Sequence, residues 1–316
     1  MDLKDLTQTP GVSGFEDEVR KKSLEVVHGE VDDFGNVITV GKSRVAFVAH
    51  MDEVGLLVTS IEDDGRLKFR KVGGVDDRIL PGLSVVLYNG DVKIEGVIGL
   101  SPPHFQLQQQ QISWQDLYID IGASSRQEAE AMGAAPMTPA AYARRYVEMG
   151  RYISATAIDD RAGCWALLEA YRRGTPGTYL WTVQEEVGLM GARALSRKIS
   201  IDAAVIVDTM ACCHPNWTGA VKPGNGPVLR LFDNYGAYGN KLARRVIEIA
   251  KKRGVPLQIG SGGGGTDAAA FFTAGIPAVA IGILTKYSHS PVETVHKDDL
   301  KYTVELLEAL GEELTR

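Results

Sequence analysis

Arg44-Val-Ala-Phe-Val-Ala-His-Met-Asp-Glu-Val-Gly55 is the stretch on which the fold turns. A continuous apolar run between polar residues predicts a strand buried on both faces, the kind found inside a parallel sheet. It ends by delivering His50 and, two positions on, Asp52. In extended backbone, residues i and i+2 point to the same side, so imidazole and carboxylate emerge together. A carboxylate in that position can orient a metal-ligating histidine. Taken alone, the pair fits a satisfied core histidine beside a surface acid equally well.

Working outward, Ser13-Gly-Phe-Glu16 reads as a capping box that opens a helix with Phe15, Val19 and Val26 facing inward. Residues 32–40 read as a Gly-Asn turn into a strand. Past His50, residues 55–61 alternate and predict a hairpin with 66–71 across the Asp-Asp-Gly turn at 63–65. From there to about 154 short β segments dominate, at 84–88, 92–98 and 116–121, with Asn89-Gly90 as a hairpin turn and one helix over 125–132. Such spacing predicts a small barrel-like module.

Beyond 155 the pattern returns to α/β. Helices are expected over 160–173, 189–198, 238–253, 266–273 and 297–315, and strands over 178–183, 203–207, 256–259 and 276–283. The expected fold is therefore α/β, a mixed and mostly parallel sheet sandwiched by helices, with an inserted small β-rich domain. The predicted division is a discontinuous catalytic unit, 1–62 with 155–316, interrupted by an insert at 63–154.

Composition bounds the function. A chain of 316 residues with 44% hydrophobic and 23% charged residues has material for a sizeable core. A formal net charge of −6 argues against nucleic-acid or anionic-membrane partners. No apolar stretch approaches the roughly 20 residues of a membrane span, and Met1-Asp-Leu-Lys-Asp-Leu carries no leader pattern. Cys212 and Cys213 are adjacent, a poor staple, and the third cysteine is Cys164, so a reduced, cytoplasmic chain is expected.

Four further stretches bring acids or histidine to the ends of predicted strands, where open α/β sheets carry their sites. Ala157-Ile-Asp-Asp-Arg-Ala-Gly163 places Asp159 and Asp160 at a helix start, where they could equally be ordinary N-terminal acids. In Thr182-Val-Gln-Glu-Glu-Val-Gly188, Glu185 and Glu186 could divide ligand and base duties, or could both be solvated. Val205-Ile-Val-Asp208 ends an apolar strand in a carboxylate, an expensive position unless the charge is paired or liganded. Tyr287-Ser-His-Ser-Pro291 adds His289. Together these donors suit Zn²⁺, Co²⁺ or Mn²⁺, and a bridging carboxylate would let two ions share them.

The ordered set His50-Met-Asp-Glu-Val-Gly, Asp159-Asp-Arg-Ala-Gly, Gln184-Glu-Glu-Val-Gly, Gly265-Thr-Asp-Ala and His289-Ser-Pro-Val-Glu resembles the M42 family of dinuclear metallo-aminopeptidases. That family includes archaeal tetrahedral and bacterial glutamyl aminopeptidases. The resemblance runs from Gly11-Val-Ser-Gly-Phe-Glu to the final helix. It implies two divalent ions per subunit, zinc or cobalt. His50 and Asp208 would hold one ion, Glu186 and His289 the other, with Asp159 as the bridge. Asp52 would orient His50, Glu185 would act as general base, and Thr266, Asp267 and Lys286 would bind substrate. The insert would be a dimerisation domain, in a family whose dimers often assemble into tetrahedral dodecamers. Leu284-Thr-Lys-Tyr-Ser-His-Ser departs from the family's Pro-x-Arg-Tyr-Ile-His-Ser: Lys286 replaces a forked guanidinium by a point charge, which alters the pocket.

The expectation is a cytoplasmic metallo-aminopeptidase acting on peptides. Another dinuclear hydrolase, a deacylase or carboxypeptidase, would keep the same donors. A silent, chaperone-like assembly subunit would keep the fold alone. Other signals are weaker. Ser261 to Thr266 lacks the P-loop ending, Cys212-Cys-His214 lacks a second zinc-ligand pair, and the Gln-biased run 105–111 offers no chemistry. His28, His104 and His296 are expected at the surface or in packing.

Overall fold

The computed structural model describes residues 1–39, 43–100, 112–213 and 221–314. The Gln-biased run 105–111, His104, His214 and the expected end positions Val40 and Thr315 lie outside the described residues.

Val45–His50 is a strand buried at every position. It lies parallel between Thr178–Thr182 and Ala203–Ala211, and the latter pairs in parallel with Ala278–Lys286. These four are the centre of an eleven-stranded mixed sheet. Antiparallel strands extend it on both sides: Val37–Thr39 and Glu30–Val31 at one edge, Glu293–His296, Tyr152–Ala155 and Tyr146–Met149 at the other. Alternation sorts the side chains between two cores. Phe47 and Ala49 pack with helices Ile158–Arg172, Lys241–Arg253 and Lys297–Leu314. Ala46 and Val48 face Met190–Ser196 and Ala268–Thr273 on the other side. Each fully buried Phe, Leu or Ile contributes about 1.5–3 kcal/mol of transfer free energy, so both faces hold the central strand in register. The layered α/β expectation agrees with this architecture.

Register then sets the site. His50 lies opposite Thr182, and Val48 lies opposite Ile206, which puts Asp208 level with His50 on the next strand. Ligand-type side chains thus share one edge of the sheet.

The second unit is a closed antiparallel barrel of Gly55–Ile61, Leu67–Val72, Tyr118–Asp120, Val92–Gly99, Ser84–Asn89 and Pro139–Tyr142. It has its own apolar core, including Leu56, Phe69, Leu87 and Ile119. The chain enters at Gly55, where an added Cβ would lie 2.6 Å from Val12 Cγ2 and 3.0 Å from Ala140 O, so a side chain would not fit.

Several local expectations differ. The barrel begins at Gly55 rather than 63, because the alternating face of 55–61 is buried inside it. It closes at Tyr142, and the strands Tyr146–Met149 and Tyr152–Ala155 return to the large sheet instead of belonging to the insert. The capping box does not form. The helix is Asp17–Leu24 with no side-chain cap, because Ser13 and Glu16 are engaged elsewhere, and Phe15 and Val26 are only partly buried. Cys212 and Cys213 are joined in a vicinal disulfide, against the reduced pair expected. Among the described residues no helix is long and apolar enough to cross a membrane.

Candidate metal centre and active site

His50 is the last residue of its strand and is buried. Its Nδ1 lies 3.2 Å from Asp52 O and 3.4 Å from Asp52 Oδ1. With the proton on Nδ1, Nε2 keeps its lone pair, and Nε2 points at Asp159 Oδ1 at 3.4 Å and Asp208 Oδ1 at 3.8 Å. His289 repeats the arrangement. Nδ1 lies 2.9 Å from Gly74 O in the loop after Leu67–Val72, while Nε2 faces Glu186 Oε1 at 3.3 Å and Asp159 Oδ2 at 3.6 Å. Asp159 therefore offers one oxygen to each histidine.

Local backbone explains how. Asp159 and Asp160 have non-helical backbone angles ahead of the regular turns of Ile158–Arg172, and Asp160 Oδ1 accepts the Gly163 N–H at 2.9 Å while Oδ2 stays free to face the site. Both are buried, so neither is an ordinary solvated N-terminal acid. Ala157, Gln184 and His289 adopt φ of 57°, 55° and 63°, unusual for residues other than glycine and clustered where functional sites tend to keep strained backbone.

Asp52 does more than orient His50. Its two oxygens accept the backbone N–H groups of Glu185 and Glu186, and Ser13 Oγ donates to Oδ2 at 2.6 Å. Behind it, Glu53 accepts the forked guanidinium of Arg144, with Arg161 Nη2 at 3.5 Å. Arg161 also donates to Met51 O and Thr9 O. Glu293 accepts the N–H groups of Asp159 and His289.

Among the protein groups themselves the balance is anionic. Burial raises Glu185 and Asp160 well above the usual carboxylate range; His50 opposes this at both, and the Asp208 charge adds to it. Burial also raises Glu186 and Asp208 and lifts Asp267 to about 7. At Asp159 burial is outweighed by the His50 hydrogen bond and the His289 charge, and the pKa falls. His289 rises to about 10, Glu186 overcoming the effect of burial. Burial works against the charged form of His50, but its hydrogen bonds to Asp159, Asp208 and Asp52 outweigh it and the pKa rises.

These residues fit a divalent cation. His50, Asp159 and Glu186, and separately His50, Asp160 and Asp208, bring ligand atoms within 4.8 Å of one another. Asp160 Oδ2 is buried with no hydrogen-bond partner among the described residues, and the donors are imidazole and carboxylate.

The sequence-predicted residues His50, Asp52, Asp159, Glu185, Glu186, Asp208 and His289 thus converge. Thr266 and Asp267 do not reach an open surface: both are buried, and Asp267 accepts from Thr182 Oγ1 at 2.5 Å, behind the sheet edge. Lys286 ends its strand with Nζ 4.3 Å from the Tyr152 ring centre. Sequence reasoning assigned no site role to Glu53, Arg144 or Glu293, named Asp160 only as an acid at a helix start, and read Ser13 as a helix cap. Asp160, Glu53, Glu293 and Ser13 all sat inside the quoted motifs, whereas nothing near Arg144 marks it.

Residues 35–306 match the profile of the M42 glutamyl aminopeptidase family. The chain belongs to that family. M42 membership makes it a peptide hydrolase, and the relatives agree. The lysyl aminopeptidase of Pyrococcus furiosus is 33% identical, covering 99% of this chain and 96% of that protein. The TET1 peptidase of Pyrococcus horikoshii, which can assemble into a tetrahedron or a large octahedral shell, is 43% identical. It superposes at a TM-score of 0.91 over 98% of each chain. An aminopeptidase from the archaeon Desulfurococcus kamchatkensis superposes at 0.92 with 35% identity, over 98% of this chain and 93% of its own.

Proposed function

We propose that this M42 protein is a dinuclear metallo-aminopeptidase that removes N-terminal residues from peptides. One observation carries the reading: Asp159 presents Oδ1 to the His50–Asp208 pair and Oδ2 to the His289–Glu186 pair. A carboxylate between two histidine–acid pairs is a donor set for two divalent ions about 3.5–4 Å apart. Zinc or cobalt suits the imidazole and carboxylate donors.

Bound there, such ions supply Lewis acidity toward the scissile carbonyl and acidify the attacking water. Glu185 takes the proton of that water and passes it to the leaving amine. Asp52 fixes the Glu185 backbone, and burial moves the Glu185 pKa upward, the direction a base working near neutral pH needs. Asp52 also holds the His50 ring. Lys286, at the rim beside Tyr152, gives the substrate pocket a point charge. Thr266 and Asp267 support that pocket from behind, Asp267 through Thr182.

The barrel serves as the dimerisation module, and exposed Val92, Val97 and Met137 belong to its surface. Larger assembly follows the pattern of the TET relative, in the cytoplasm. Light scattering of the purified protein at micromolar concentration should give a dimer or larger; a monomer removes this part.

The test of function is a kinetic panel of free-amine aminoacyl reporters, N-blocked reporters and C-terminal substrates, each with Zn²⁺, Co²⁺ and Mn²⁺. Turnover confined to free-amine substrates is expected. Equal turnover of N-blocked substrates would point to a deacylase instead.

A further inference from the structure

Beside the ligand cluster sits a buried hydroxyl that bonds to none of the described residues. Tyr142 ends the barrel strand Pro139–Tyr142, opposite Val85. It is 2% exposed, and its hydroxyl has no hydrogen-bond partner among the described residues. It borders a cavity of about 10 Å³ that adjoins the ligand cluster, with Glu53, Asp159, Glu186, His289 and Glu293 also in its walls. That is close to the least room one water needs, and a buried water needs two to four polar partners, which these walls offer. Burial, and then the negative charges of Glu293, Glu53 and Glu186, hold the phenol pKa far above its ordinary value, so the O–H remains a donor.

Glu293 is the natural acceptor across that water. It is 2% exposed and spends its carboxylate on two backbone groups. Oε2 accepts the Asp159 N–H at 2.9 Å, and Oε1 accepts the His289 N–H at 2.5 Å. One side chain therefore sets the backbone of the proposed bridging ligand and of a terminal ligand together. Partners one bond removed from metal ligands fix ligand geometry and tune affinity.

We propose that Tyr142 is a positioning residue: through a single buried water its hydroxyl anchors Glu293, which in turn fixes Asp159 and His289. The barrel and the metal centre are then mechanically coupled, and a wall of the barrel completes the site. The inference rests on the two-metal reading above.

Tyr142→Phe removes only the hydroxyl. The measurement is Zn²⁺ affinity by chelator competition, starting from the metal-loaded protein, for wild type, Tyr142→Phe, Glu293→Gln and the double variant. Thermal unfolding of the metal-free forms is recorded alongside. Tyr142→Phe should weaken Zn²⁺ binding about tenfold while the metal-free melting temperature stays near wild type, which a purely structural role would not produce. Glu293→Gln should lose at least as much, and the double variant no more than Glu293→Gln alone, because both act on one path. Affinity of Tyr142→Phe within about twofold of wild type, or losses that add in the double variant, overturns the relay and leaves the two-metal reading intact. Wild type that retains no zinc sinks both.

Discussion

Asp52 Oδ1 accepts the backbone N–H of Glu185 at 2.9 Å, and its Oδ2 accepts that of Glu186 at 3.1 Å. The acid that steadies His50 therefore also sets the segment carrying both glutamates. Asp52→Asn keeps the shape but turns an NH₂ toward one of these N–H groups. It should fold, yet weaken metal binding and turnover by about 10–100-fold. Metal content after dialysis and kcat together check this; a fully loaded, fully active variant would remove the role.

The adjacent glutamates separate by position. Glu186 faces His289 at 3.3 Å, whereas among the described residues Glu185 makes no histidine contact within ion-pair range. Glu185→Gln should retain metal and lose turnover on the order of 10²-fold or more, since general-base action contributes 10²–10⁴-fold. Glu186→Gln should lose metal, and activity with it. The opposite pattern of metal content would exchange the two assignments.

Much of this was legible in sequence because it is local or periodic. The buried run 45–50 needs no partner to be recognised, and the i, i+2 rule joins His50 to Asp52. Asp159 stood out as an acid, but its division between two histidines depends on loops from distant strands meeting. Arg144 pairs with Glu53 across 91 positions, and no spacing rule reaches that far. Ser13 looked like a helix cap because its local pattern is one; tertiary contact with Asp52 outcompetes that use. The hairpin at 55–72 was read correctly, yet pairing alone could not say to which sheet it belonged.

Chelator-treated protein should be more stable near pH 5 than near pH 8. Burial raises Glu16 from 4.5 and Asp267 from 3.8, each to about 7. A raised folded pKa gives stability that is present below the unfolded value and lost as pH climbs through the folded one. These two groups act from about pH 4 to 7, and His289, raised from 6.5 to about 10, continues the decline above that. Asp52, Glu53 and Asp159, which are lowered, act oppositely and only at more acid pH. Zn²⁺ added at pH 8 should restore the loss by binding the folded state. Melting temperatures across pH 5–8 test the sign, and a metal-free protein more stable at pH 8 contradicts it.

Glu53 is buried directly after Asp52, and Arg144 forks onto it, Nη1 to Oε2 at 2.7 Å and Nη2 to Oε1 at 2.5 Å. Gly11 N–H adds a contact at 2.7 Å. Arg144 lies just past the last barrel strand, so this pair ties the barrel exit to the strand end that holds the site. Arg144→Met takes the fork from a buried carboxylate, leaving Arg161 Nη2 at 3.5 Å as its remaining cationic partner, and should cost about 3 kcal/mol in urea unfolding. Arg144→Lys should recover only part, because an ammonium cannot reproduce the fork. Pairing Arg144→Met with Glu53→Gln should recover more, since both charges then leave the interior. A loss below about 1 kcal/mol for Arg144→Met would mean that water reaches Glu53 and that the barrel is held to the sheet by packing alone.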